Sequence, residues 1–254
     1  MARLHAQESL GVSIHAARLE YDGVPLFADL DFSLEAGGWT CVLGPSGVGK
    51  TSLLRLIAGL VEPWEGSHIS CTDGAPLAGR SAFMAQQDLL LPWLTALQNV
   101  VLGERLRRSG NRQSTNTKAH ELLSRVGLRG KERALPATLS SGQRQRVALA
   151  RTLMEDRQVV LMDEPFSALD AITRHRHQEL AVELLDARTV LLVTHDPLEA
   201  LRLGRRIHVM SGRPAVLDEA LSPAGRPPRD VADPAIQRQY AELLVRLAAA
   251  KEAA

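Results

Sequence analysis

The stretch GPSGVGKT, from Gly44 to Thr51, decides how the rest of the chain is read. It follows the apolar run WTCVL (39–43). It precedes SLLRLIAGL (52–60), whose apolar residues recur at helical spacing and stop near Gly59 and Pro63. Strand, glycine loop and helix in that order fit the pattern G-x-x-x-x-G-K-[ST]. Each residue type has a physical reason. Glycines let consecutive backbone N–H groups turn inward and approach phosphate oxygens closely. The helix beginning at about Lys50 turns the positive end of its dipole, roughly half a charge, toward the same point. Lys50 is placed to reach β- and γ-phosphates as a point charge, and the Thr51 hydroxyl to ligate Mg²⁺. The stretch thus predicts a phosphate site formed by Gly44, Pro45, Ser46, Gly47, Val48, Gly49, Lys50, Thr51 and Ser52. A glycine-rich turn matching by chance is the alternative. The strand before it and the helix after it argue against that.

A second strand ends on acid. VVLMDEP (159–165) is an apolar run closed by Asp163, Glu164 and Pro165. Ligands of open α/β sheets gather at the carboxyl ends of strands. One carboxylate there can hold Mg²⁺, and a second can polarise an attacking water. Asp163 is assigned to the metal and Glu164 to the water. Taken alone, Asp163 would serve equally well as a turn or helix cap.

Around these two points the chain alternates. Val12, Ile14 and Ala16, then Leu30, Phe32 and Leu34, alternate with polar neighbours and predict strands. The middle, about 94–153, reads as helices, with RSGNRQSTNTK (108–118) as an exposed loop. After Glu164 come a helix (174–187), the strand TVLLVTH, the helix PLEALRL, and the short strands RIHVM and PAVL. Such alternation predicts an α/β fold with a mainly parallel sheet. The proline-rich SPAGRPPRDVADP is expected to be an extended connector. It leads to an amphipathic helix with Ile236, Tyr240, Leu243, Leu244 and Leu247 on one face. That helix can dock on its own domain or on a partner.

Composition narrows the function classes. With 45% apolar residues and a net charge of +1 over 254 residues, the chain has the makeup of a globular protein. Thirty basic against 29 acidic residues argue against a protein that holds nucleic acid mainly by electrostatics. No apolar run approaches the ~18–20 residues of a membrane helix. The start has no stretch of signal-peptide length, so a cytoplasmic location is expected. Cys41 and Cys71 form no CxxC and read as a reduced, buried pair. His175 and His177 fall on different helix faces and read as solvated, not as a metal pair.

Four ordered motifs carry a resemblance. GPSGVGKT, LSSGQRQRVALAR (139–151), LMDEPFSALD (161–170) and LLVTHDPLEAL (191–201) resemble an ABC-transporter ATP-binding subunit over about residues 12–220. The resemblance implies a P-loop NTPase core, with a mainly parallel sheet, an N-terminal antiparallel β portion and an inserted α-helical subdomain. It divides the chain into a nucleotide-binding core (1–86 and 154–221), a helical signature subdomain (87–153) and a connector with C-terminal helix (222–254). ATP and Mg²⁺ are the implied ligands.

Residue by residue, Tyr21 looks like the aromatic that stacks on adenine. Gln86, in preference to Gln87, looks like the glutamine that senses Mg²⁺ and the γ-phosphate. His195 looks like the switch histidine on that phosphate, and Asp170 like the aspartate that crosses to a partner cassette. Ser140, Ser141, Gly142 and Gln143 resemble the signature that closes over the ATP of a second copy. A head-to-tail, ATP-sandwiching homodimer follows. Here the sequence departs from the family, whose usual LSGGQ has glycine where Ser141 stands. The serine can slow the phosphate contact or be a tolerated variant.

LLPWLTALQNV (90–100) resembles importers of the nitrate, sulfonate and taurine group and their relatives for thiamine-precursor pyrimidines. That implies an integral membrane permease as partner, met near Trp93. It also implies a periplasmic or extracellular solute-binding protein acting indirectly, and a place on the inner face of the cell membrane. Plain packing is the alternative for Trp93. The other function classes to weigh are a mechanotransmitter in a membrane complex and a soluble ATPase acting on DNA or ribosomes.

Overall fold

The computed structural model describes residues 9–62, 66–108 and 111–253. Most of the opening MARLHAQESLGV, the helix stop at Pro63 and the Ser109-Gly110 step lie outside them. In chain order the elements are β1 (Val12–Tyr21), β2 (Val24–Leu34), β3 (Trp39–Leu43), α1 (Lys50–Ile57), β4 (His68–Cys71) and β5 (Ser81–Met84). The chain continues through α2 (Ala96–Val100), α3 (Leu102–Arg107), α4 (Arg112–Arg125), α5 (Ser141–Met154), β6 (Val159–Asp163) and α6 (Ala171–Leu184). It ends with β7 (Thr189–Val193), α7 (Pro197–Leu203), β8 (Arg206–Ser211), β9 (Val216–Leu217) and α8 (Pro234–Glu252).

These elements form two compact units. One takes the chain up to Ser81, Gln158–Asp163 and everything from Asp186 on; the other takes Ala82–Arg157 and Glu164–Leu185. The family resemblance implies that 164–185 belongs to the nucleotide-binding portion; α6 clusters with the helices instead.

In the first unit the sheet strands lie in the order β6-β7-β3-β8-β9, parallel except for the last pair. Every residue of β3, β6 and β7 is buried, which is why they read as unbroken apolar runs. Leu53 and Leu54 of α1 are fully buried, and α1 packs on β6 and β7. A second sheet, β2-β1-β4, is antiparallel. The expected α/β class, with a mainly parallel sheet, an N-terminal antiparallel portion and a helical portion, is the one observed.

Three readings of this unit change or are refined. The register of β1 shifts after Ile14; Ala16 takes φ +50 and Ala17 points into the core instead. A bulge inserts one residue and exchanges the faces. Second, the connector, irregular as an extended segment is expected to be, is also packed. Arg229, 6% exposed, donates to the carbonyls of Leu201, Gly204, Pro223 and Ala224. Third, α8 docks on its own unit, on α7 and β8, as one of the two expectations had it, but the buried face is Ile236, Leu243 and Ala250. Leu244 is 45% exposed, because a seven-residue spacing along one seam sets the buried stripe.

The second unit is built around α5. Val147, Ala148, Leu149 and Ala150 are all buried, and α2 and α4 pack on that helix. Residues 112–118, expected as loop, form the first turns of α4, because the Asn111 side chain accepts from Gln113 N and caps the helix. His177 is buried, with its ring nitrogens on the carbonyls of Thr173 (2.7 Å) and Val126 (3.2 Å). It is therefore not solvated as expected. His175 is exposed and lies 3.3 Å from Glu179. Both cysteines are free and buried, and burial pushes the Cys41 thiol far up, so it stays protonated.

Candidate functional site

Parallel pairing sends the ends of β6, β7 and β3 to one edge of the sheet. The loop 44–49 leaves β3 there, Asp163 closes β6, and Thr194 with His195 follow β7. Within the loop, Gly44 and Gly49 hold φ +150 and +116, conformations open to glycine. Lys50 is buried at the start of α1, and its Nζ donates to the Gly44 and Pro45 carbonyls at 2.8 Å each. The ammonium thus shapes the loop it projects from. No acidic residue occupies the first turn of α1, so the helix end keeps its positive character.

Thr51 Oγ1 donates to Asp163 Oδ2 at 2.7 Å. A hydroxyl and a buried carboxylate converge there from two elements 112 residues apart. Two oxygen donors suit a hard cation. Among the described residues no group of three or more His, Cys, Asp and Glu could hold a metal. Such a cation would draw its remaining ligands from phosphate oxygens and water, which is how Mg²⁺ is commonly bound.

Tyr21 is half-exposed at the end of β1, across the Asp22-Gly23 turn from exposed Val24. The turn residues, both at positive φ, are an Asp-Gly hairpin signal in the sequence that places Tyr21 at a strand end. His195 is exposed. Next to it, Asp196 accepts from Leu198 N and Glu199 N, and its own N–H donates to Thr194 Oγ1. The capped turn fixes the backbone on which His195 sits.

The remaining candidates lie in the helical unit. Gln86 Nε2 donates to Glu164 Oε2 at 3.2 Å, while Gln87 is exposed beside it. Ser140 caps α5: its Oγ accepts from Gln143 N, and Gln143 Oε1 accepts from Ser140 N. This reciprocal box was hidden behind the motif. Ser141 is the first residue of α5 and is exposed. A Cβ on Gly142 would meet only ordinary contacts, 3.4 Å from Leu169. Asp170 caps α6, and hydrogen bonds from Thr173 hold its carboxyl below the usual carboxylate range. Trp93 is 70% exposed. Buried Asn99 fixes its segment, accepting from Leu91 N and donating to the carbonyls of Leu91, Leu94 and Thr95.

The family model described as "ABC transporter" matches residues 27–167. The chain is 44% identical over 224 residues to the aliphatic sulfonates import ATP-binding protein SsuB 1 of Rhodococcus jostii (strain RHA1), covering 87% of each chain. It is 44% identical over 209 residues to the taurine import ATP-binding protein TauB of Pseudomonas savastanoi pv. phaseolicola (strain 1448A / Race 6), covering 80% of this chain and 79% of that one. Among solved structures it is similar to MJ0796, a bacterial ABC transporter cassette, solved as a dimer and in a dimeric post-hydrolysis state bound to ADP and Pi. Each match has a TM-score of 0.74 and 27% identity, and covers 85% of this chain and all of that one.

Proposed function

The chain belongs to the ABC transporter family of ATP-binding ATPases, and from that premise we propose that it is the ATP-hydrolysing subunit of a binding-protein-dependent importer. The observation that carries the reading is the Thr51–Asp163 hydrogen bond, which joins the phosphate loop to the acidic strand end next to Glu164. ATP binds with its phosphates on Gly44–Ser52, under Lys50, and with its adenine on Tyr21. Thr51, Asp163 and Gln86 would hold Mg²⁺, which neutralises charge on the phosphate oxygens. Glu164 orients and polarises the attacking water, and His195 contacts the γ-phosphate.

Two copies sandwich two nucleotides head to tail. Ser140, Ser141, Gly142 and Gln143 of each close over the ATP of the other, and Asp170 reaches across. The unit that carries the phosphate loop binds nucleotide, the helical unit (Ala82–Arg157 and Glu164–Leu185) transmits the motion, and the tail from 222 on packs within the first unit. A separate membrane permease meets the 86–100 segment at Trp93, and the chain sits peripherally on the inner membrane face. No helix among the described residues is long and apolar enough to cross a membrane. Similarity to the sulfonate and taurine importers supports an organosulfonate as solute, delivered by a solute-binding protein. Nitrate and thiamine-precursor pyrimidines are the remaining solute classes.

Glu164→Gln tests the reading. ATP binding should persist, turnover should fall by about 10²-fold or more, and an ATP-bound dimer should outlive that of the wild type in sedimentation. Unchanged turnover removes Glu164 from the chemistry. Co-purification of the chain with a permease, and the ligand held by the associated binding protein, test the importer assignment and the solute.

A further inference from the structure

The residues Gln86 and Glu164 sit on two loops that α5 holds together. Arg144 Nε donates to Asp88 Oδ2 at 2.9 Å, and its Nη1 to the Leu139 carbonyl at 2.9 Å. Asp88 uses its other oxygen on its own loop, accepting from Leu90 N at 3.2 Å. Arg151, about two α5 turns further on, donates to the Asp88 and Leu89 carbonyls at 2.7 and 2.9 Å. Gln145, 4% exposed, donates to the Pro165 carbonyl at 3.1 Å, one residue past Glu164. A cavity of about 380 Å³ beside this clamp is lined by Gln86, Asp88, Ser141 and Gln145, among others.

Two bends in the loops need such support. Leu89 stands at φ +45 and Glu164 at φ +47, and non-glycine residues hold that region only when their surroundings fix it. One bend lies three residues after Gln86, and the other is Glu164 itself. Their relative placement decides whether the Gln86 amide reaches the Glu164 carboxylate, as it does at 3.2 Å.

We propose that Arg144 is a positioning residue for hydrolysis: by holding Asp88 to the start of α5, it sets Gln86 against Glu164. The helix whose first residues include Ser141 then fixes the pair of the same chain that faces water and phosphate. This rests on the ATPase reading above. Arg144 acts through Asp88, which its guanidinium holds against the Leu139 carbonyl end of the signature. The phosphate loop and Tyr21 belong to the other unit, so ATP affinity should be spared when the clamp is cut.

The test is steady-state ATP hydrolysis by the full chain, with fluorescent-nucleotide affinity and melting temperature measured alongside. Arg144→Ala and Asp88→Ala should each lower kcat about 10-fold or more, with KM within about 2-fold, since small displacements at a reacting centre cost rate more than binding. The double variant should be no worse than either single one. The exchanged pair, Arg144→Asp with Asp88→Arg, should recover part of kcat. Unchanged kcat in both single variants overturns the proposal. So does a fall in kcat that tracks a fall in melting temperature, or single effects that multiply in the double variant. A wild-type chain without turnover would overturn the ATPase reading first and this inference with it. Wild-type turnover with indifferent variants overturns this inference alone.

Discussion

At Gly44 the pattern and the structure give different reasons for the same residue. The motif requires glycine for close approach to phosphate. In the fold, a Cβ at Gly44 would also stand 2.5 Å from the Met210 carbonyl oxygen, with φ at +150. That neighbour belongs to β8, 166 residues away, and no local pattern announces it. Gly47 offers a control, because at φ +82 a Cβ there meets nothing within 4 Å. Gly44→Ala should therefore displace the loop and the carbonyl that Lys50 Nζ grips, and weaken ATP binding about 10-fold or more. Gly47→Ala should pay only the conformational strain, of order 1–3 kcal/mol. Titration with a fluorescent nucleotide separates the two; equal losses would mean that the Met210 contact is irrelevant. Ser141 shows the opposite case. As the first residue of α5 it has no positive φ, so a side chain there strains nothing in this fold. At the residue scale, loop and acid identities were readable, because each carries its chemistry in its type. Contacts such as Gln86–Glu164 and Arg144–Asp88 were not, because they depend on how distant segments meet.

Elements were readable where their period is strong. β3, β6 and β7 are buried throughout and stand out as apolar runs. Elements held by one polar side chain were hidden. The first turns of α4 rest on the Asn111 cap, which a polar, breaker-rich composition masked. The connector before α8 rests on Arg229. Its guanidinium caps the end of α7 through the Leu201 and Gly204 carbonyls, while its backbone N–H donates to the Arg202 carbonyl and Arg202 Nη1 donates back to the Arg229 carbonyl. A cation is favoured at a helix C-terminus, where carbonyls lack partners. Burial draws the Arg229 pKa down, yet a guanidinium remains charged in proteins. Arg229→Ala leaves several carbonyls without a donor and should cost about 2–4 kcal/mol of stability, seen as a lower midpoint in urea. Arg229→Lys should not restore it, because three donors on a flexible stem cannot reproduce the fork. A midpoint unchanged in both variants would show that the connector is not held by this residue. Because the Arg229 side chain bonds only to Leu201, Gly204, Pro223 and Ala224 among the described residues and to no residue of the 44–52 loop, ATP affinity should stay near that of the wild type.

Over the molecule as a whole, one feature joins the two sheets of the first unit and has no trace in any motif. His208 on β8 packs edge-on against Phe32 of β2, with ring centroids 5.6 Å apart. It is 7% exposed. Its Nδ1 lies 2.9 Å from the Asp218 carbonyl, and its buried Nε2 has no hydrogen-bond partner among the described residues. Nδ1 therefore carries the proton and Nε2 the lone pair. Burial first, and the nearby Arg206 charge, hold the pKa of the ring below the usual histidine value; Asp218 opposes them. Arg246 of α8 meets the Asp218 carboxylate at 3.3 Å, so the same corner also anchors the C-terminal helix. With the folded pKa below the unfolded one, the unfolded chain binds the proton first as pH falls. Stability contributed by the neutral ring is thus complete above about pH 6.5 and is lost as pH falls from there through the folded pKa, with a slope of at most about 1.4 kcal/mol per pH unit from this group. Urea unfolding between pH 7.5 and 5.5 should show that loss in the wild type. In His208→Gln, whose amide does not titrate, the curve should be flatter, whatever its starting level. Equal slopes in the two proteins would move the acid sensitivity of this fold to other groups.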